Sequence, residues 1–207
     1  MRAENYSGTI EYDEMGTVNL VRVGGLSTAP GPGFYRTGTA MSGTGRWSLA
    51  APVTIASAHS AFAWVWINDI TVAGDGGSGQ TIFGWLESGN SVRLLSDETA
   101  PSGRLMVSIW IGAGPEVTAI HASVPQFVNN TWAHVGYTFN GSTTAILYAN
   151  GATFTTGANG GFSVPNALLI GARTTTAGHI TGRMAGVVTY NRVLAASEVQ
   201  ELYRAGA

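Results

Sequence analysis

Glu11, Asp13 and Glu14 form the densest acidic cluster in the chain. Two carboxylates about 5–9.5 Å apart across a glycosidic bond carry glycoside hydrolysis. Alternate residues of a strand share a face, so Glu11 and Asp13 would stand together. No helper carboxylate follows Glu14, and a short acidic run is ordinarily a solvated face. Acyl-transfer chemistry has no support either. There is no G-x-S-x-G, and the glycine-rich run Gly74-Asp75-Gly76-Gly77-Ser78-Gly79 matches neither a nucleophile elbow nor a phosphate loop. The sequence is read as that of a non-enzyme.

Metal chemistry is as sparsely provided for. Calcium takes six to eight oxygens, several from carboxylates. Asp69 and Asp75, with Asn68, flank the glycine-rich run and are the candidate ligands, although Gly-Asp-Gly is more commonly a turn. His59, His121, His134 and His179 show no close spacing and no cysteine accompanies them, which excludes the usual zinc patterns. His134 is expected to be a strand residue with a satisfied ring. No cofactor is expected, calcium at Asp69 and Asp75 remaining the one candidate.

Sugar binding needs aromatic platforms and convergent polar groups. Arg104, Met106, Ser108 and Trp110 alternate with Leu105, Val107, Ile109 and Ile111, so one face of that strand is polar and aromatic. Thr81, Phe83, Trp85 and Glu87 offer a similar face. Trp85, Arg104, Ser108 and Trp110 are the candidate glycan-binding residues. The competing reading makes Trp85 and Trp110 core or edge cover, since Trp is commonly well buried.

The elements that would position these residues are short strands. Trp132 to Gly151 reads as a hairpin. Ala133, Val135, Tyr137 and Phe139 share one face and Trp132, His134, Gly136 and Thr138 the other, with Asn140-Gly141 and Asn150-Gly151 as turns. Both faces carry apolar residues, so the hairpin belongs inside a sandwich. Ser60 to Asn68 is apolar on both faces and is expected to be central. Further strands recur at 80–86, 91–95, 104–111 and 116–122 between turn residues, the pattern of a sandwich or barrel. Only the tail is helical in pattern: Val199, Leu202 and Tyr203 share a face over Ala196 to Arg204.

These stretches, in this order, resemble the laminin-G-like, concanavalin A-like jelly-roll family. The resemblance lies in the Trp132–Gly151 hairpin, in Leu168-Leu169-Ile170-Gly171, and in Gly182 to Leu194 followed by Glu198-Val199 and Leu202-Tyr203. Met41-Ser42-Gly43 and Phe62-Ala63-Trp64 sit where the family has further strands. It implies an all-β, two-sheet antiparallel jelly-roll sandwich over residues 38–207, with one short C-terminal helix. The family's frequent calcium-associated acids fall on Gly186 and Asn150, which argues against calcium. The family's capping serine before the helix is Ala195, a loss of about 1 kcal/mol.

Length and composition suit one such sandwich: 207 residues, 44% hydrophobic, 11% charged, no cysteine, and ten basic residues that are all arginine and scattered. A net charge of −2 gives no footprint for nucleic acid. No apolar run is long enough for a membrane span. No apolar segment follows the N-terminal Met1-Arg2-Ala3-Glu4-Asn5, so the chain is read without an export signal.

Residues 1–37 fall outside the resemblance. Thr9 to Tyr12 and Thr17 to Val23 alternate like strands, with breaks expected at Gly24-Gly25 and Ala29-Pro30-Gly31-Pro32-Gly33. The segment is either extra edge strands or an N-terminal docking arm that adds strands to a partner through Ile10, Tyr12, Val18 and Leu20. The family resemblance then implies a non-enzymatic interaction module. The leading expectation is a virion surface protein, a capsid decoration or tail component, assembled in the host cytoplasm with other virion proteins or itself and touching cell-surface glycans. The alternative is a carbohydrate-binding module of an exported bacterial protein at the cell surface. A divergent glycoside hydrolase ranks last.

Overall fold

The structure, a computed structural model, describes the backbone of residues 5–7, 10–12, 19–30, 37–49, 58–72, 79–87, 90–97, 103–110, 116–121, 126–141, 144–158, 167–173 and 177–206. Fourteen strands and one helix follow in order: β1 (Asn5–Ser7), β2 (Ile10–Tyr12), β3 (Asn19–Pro30), β4 (Thr37–Leu49), β5 (Ala58–Ile67), β6 (Gln80–Glu87), β7 (Asn90–Asp97), β8 (Arg104–Trp110), β9 (Glu116–His121), β10 (Trp132–Asn140), β11 (Thr144–Ala149), β12 (Ala152–Ala158), β13 (Ala167–Ile170), β14 (Gly182–Tyr190) and α1 (Ala196–Gly206).

Two antiparallel sheets share β4. Its first half pairs with β14, Met41 opposite Gly182, and continues the order β14-β5-β10-β11-β12. Its second half pairs with β13, Trp47 opposite Ile170, and continues the order β13-β6-β7-β8-β9. The layers face each other, β11 against β8 and β12 against β9. Between them lies one core of Ala61, Val65 and Ile67, of Val135, Tyr137 and Phe139, and of Phe83, Leu94, Val107 and Ile170. The jelly-roll sandwich with a C-terminal helix is the fold expected from the sequence.

The hairpin shows why its two faces are both apolar. Ala133, Val135, Tyr137 and Phe139 point into this core. The opposite face of the same layer is covered by α1, where Phe62, Tyr148, Val188, Leu194 and Val199 form a second cluster. Gly136 is required there: a Cβ would collide with the Phe62 ring and the Ala61 carbonyl. Asn140-Gly141 and Asn150-Gly151 turn as expected, with Gly141, Asn150 and Gly151 all at positive φ.

The helix starts without its serine. The Ala195 N–H donates to Glu198 Oε2 at 2.8 Å, the return half of a capping box. Arg192 holds the same carboxylate through both of its terminal nitrogens, at 2.9 and 2.6 Å. These bonds, Arg192's first, bring the Glu198 carboxyl down to about 2. Ser60 fastens the approach to the helix, donating to the Arg192 carbonyl and accepting from the Leu194 N–H.

In the N-terminal segment, β3 pairs along β4 from Leu20 opposite Leu49 to Pro30 opposite Thr37. The break expected at Gly24-Gly25 is therefore corrected, while the strand ends at Pro30, where the second break was expected. The glycines sit at a register shift between Val23 and Gly25, a bulge that lets the strand continue. Pro30 is the last residue of the strand, where its missing N–H breaks no interior ladder. Of the docking residues, Ile10 and Tyr12 lie on β2 and Leu20 on β3, with Ile10 opposite Val21, Glu11 opposite Leu20 and Tyr12 opposite Asn19. Val18 lies outside the described residues.

Candidate functional site: the two outward faces

The outward face of the first layer is closed around His134. His134 lies there beside Phe62, ring centroids 5.7 Å apart and nearly parallel. Trp64 is 5.3 Å away and Tyr203 of α1 is 6.0 Å away. Tyr203 also stacks on Trp64. His134 is 3% exposed, and its Nδ1 has no hydrogen-bond partner among the described residues. Burial, which penalises the imidazolium, lowers its pKa to about 4. The ring expected to be satisfied by a hydrogen bond is instead held by stacking. The imidazole is packed among aromatic rings.

The outward face of the second layer differs. Register rows run across it: Ser91 opposite Trp110, Arg93 opposite Ser108, Leu95 opposite Met106 and Asp97 opposite Arg104. Arg104 and Met106 are half-buried. Arg104, Met106, Ser108 and Trp110 thus occupy successive rows of equal backbone parity, as the alternation along β8 requires. Trp85 does not join them. It pairs with Leu168 and Val92, and Leu168 is a core residue. The expected wet face of β6 is corrected for the same reason: Phe83 and Ile82 are fully buried, and the register shifts between Thr81 and Phe83. A bulge resets parity, and nothing in the residue types of 80–87 announces it.

Ala172 and Gly178 approach β6 on this face. The Thr81 N–H donates to the Gly178 carbonyl at 3.0 Å, and a Cβ on Gly84 would meet the Ala172 carbonyl at 2.8 Å. Arg93, opposite Ser108 on this face, is buried, while Arg104 and Met106 are half-buried.

Of the candidate metal ligands, Asp69 is engaged by its own turn. Asp69 Oδ1 accepts from the Thr71 N–H at 2.9 Å and its hydroxyl at 2.7 Å, which lowers its pKa. Asp75 lies outside the described residues, among which no group of three His, Cys, Asp or Glu could hold a metal ion. Where the sequence departs from the family's acids, Asn150 has a structural task. Its N–H donates to the His134 carbonyl at 2.7 Å and its Oδ1 accepts the His134 N–H at 3.0 Å. Gly186 takes a φ of 54° within the register shift of β14 against β5, a conformation that glycine adopts without strain.

A family model of the concanavalin A-like lectin/glucanases superfamily matches residues 38–200. The chain belongs to that superfamily. Within it, similar solved structures include domain 4 of an extracellular arabinanase from Geobacillus stearothermophilus in complex with arabinotriose. That one has 14% identity and a TM-score of 0.68, covering 87% of this chain and 82% of that one. A pentraxin from Limulus polyphemus is similar at 14% identity and a TM-score of 0.57, over 75% and 74% of the two chains. The receptor-binding domain of a botulinum neurotoxin C/D mosaic is similar at 12% identity and a TM-score of 0.72, over 99% of this chain and 50% of that one. The chain thus spans about half the length of the neurotoxin domain. No curated protein matches it. No helix among the described residues is long and apolar enough to cross a membrane.

Proposed function

We propose that this lectin-like sandwich is a non-enzymatic glycan-recognition module, used as a structural component of a virion surface. The observation that carries the glycan reading is the contrast between its outward faces. One is sealed by α1 over Phe62, Tyr148 and Val188. On the other, Arg104, Met106, Ser108 and Trp110 occupy alternate positions of β8. Convergent polar groups beside an aromatic residue are what sugar recognition uses. The arabinotriose complex of the similar arabinanase domain supports the reading. Likeness of fold would not assign a function alone.

The non-enzymatic part rests on where the acids are. Glu11 lies on β2, paired between Tyr6 and Leu20, and among the described residues β2 pairs with β1 and β3 alone. That is a poor position for a carboxylate serving the face of β8. The virion setting is supported by β3. Among the described residues its pairing with β2 covers Asn19–Val21, and an edge left unpaired beyond them would suit a neighbouring subunit. The exported-module alternative draws on the extracellular enzyme whose domain is similar.

A glycan array probed with the intact chain tests recognition. Co-purification with particles, against recovery from the cell exterior, separates the settings.

A further inference from the structure

A second patch lies on the first layer, beyond the end of the helix cover. Trp132, Trp66 and Arg183 stand in one register row across β10, β5 and β14. All three are half-buried. The indoles meet edge to face, centroids 5.8 Å apart, and the Arg183 guanidinium carbon lies 4.7 Å from the Trp66 ring centre. Gly182 makes that seat: a Cβ there would collide with the Trp66 carbonyl, so β14 lies tight against β5 at this row.

One step further along the same strands stand Asn130, Asn68 and Thr181, all exposed. Their backbones are tied together, with the Asn68 N–H on the Thr181 carbonyl and the Asn130 N–H on the Ile67 carbonyl. Their side chains make no hydrogen bond to a described residue. Their neighbours are different. Gln80 spends its amide on Asp69, Val72 and Thr181 backbone, Asn129 accepts from Ile70, and Asp69 is held by Thr71. Arg183 has no carboxylate partner among the described residues, and Trp66 Nε1 is shielded from solvent without an acceptor. The structural donors in this region are used up, and the row of three with Arg183 is left over.

A guanidinium fixed on an indole presents a planar fork suited to a carboxylate. An adjacent indole offers a face for the C–H side of a sugar ring, and amides and a hydroxyl suit its hydroxyls. We propose that Arg183, Trp66, Trp132, Asn68, Asn130 and Thr181 form a binding site for an acidic saccharide, its carboxylate on Arg183 and its ring on Trp132. The site is separate from the face of β8, on the opposite layer.

The test is calorimetric titration of the intact chain with uronic-acid- and sialic-acid-terminated oligosaccharides beside their neutral parents. At least one acidic sugar is expected to bind roughly tenfold or more tightly than its neutral parent, an advantage that shrinks as salt is raised. Arg183→Gln should remove the preference with the melting temperature kept. Should that variant fail to fold, Asn68→Ala and Thr181→Ala, at exposed positions, should each weaken binding. Arg104→Gln on the other layer should leave it unchanged. Equal affinity for acidic and neutral sugars, no binding of any acidic sugar, or binding lost with Arg104 but kept in the Arg183 and Asn68 variants would each overturn the proposal. The last outcome leaves the β8 reading standing.

Discussion

The Tyr203 ring lies on that of Trp64, centroids 5.6 Å apart and 26° from parallel. This contact ties the last turn of the C-terminal helix to the central strand of the first layer. It also closes the space over His134. Without Tyr203 the imidazole would be wet.

Tyr203→Ala is accordingly expected to cost roughly 3 kcal/mol, as large-to-small changes of packed aromatics do. A denaturant melt reads it, with the midpoint lowered and the sheet retained.

Acid should act at the same place. His134 titrates at about 4 when folded and 6.5 when free. As pH falls below 6.5, the unfolded chain takes up the proton first, so this group's contribution is complete above 6.5 and lost as pH falls to about 4. The loss is on the order of 3 kcal/mol. Melts across this window should show it, and His134→Phe should flatten that part of the profile. A histidine variant with an unchanged acid limb would refute the assignment.

Much of this arrangement is legible in the sequence, and the reasons for the rest are physical. The two-faced hairpin, the turns at Asn140-Gly141 and Asn150-Gly151 and the face of Val199, Leu202 and Tyr203 follow from local period and turn chemistry. The bulge after Thr81 does not, because one extra residue flips the parity of everything after it, which is why Trp85 was placed with Arg104. The row of Trp132, Trp66 and Arg183 is invisible for another reason. Its members come from three separated strands, and only the register brings them together. The N-terminal strand pattern was legible, but its pairing with β4 needed the topology.

Calcium is expected to add little stability. Asp69 is already committed to Thr71, and Asn150 clamps His134. A chelator should leave the melting temperature unchanged. A ligand at about 100 times its Kd stabilises by about 2.7 kcal/mol, so real binding would be plain.

Removing residues 1–28 takes away most of β3 and leaves β4 as a bare edge beside both sheets. Exposed edges invite association, so this truncation should aggregate. One that ends before β3, removing residues 1–18, should fold as a sandwich. Circular dichroism and sedimentation compare the two. A folded monomer after loss of residues 1–28 would make the segment an arm and not part of the sandwich.

The central claim is that the chain recognises glycans without cleaving them, through the face of β8. The most direct measurement is a glycan array probed with the intact chain, with Arg104→Gln/Trp110→Ala and with Arg183→Gln, each bound glycan being analysed for hydrolysis. The account predicts a restricted set of intact glycans, some of them lost in the β8 variant but kept in the Arg183 variant, at unchanged melting temperatures. An array with no binding, a β8 variant that binds as the parent does, or released sugar that disappears with Glu11→Gln would contradict it.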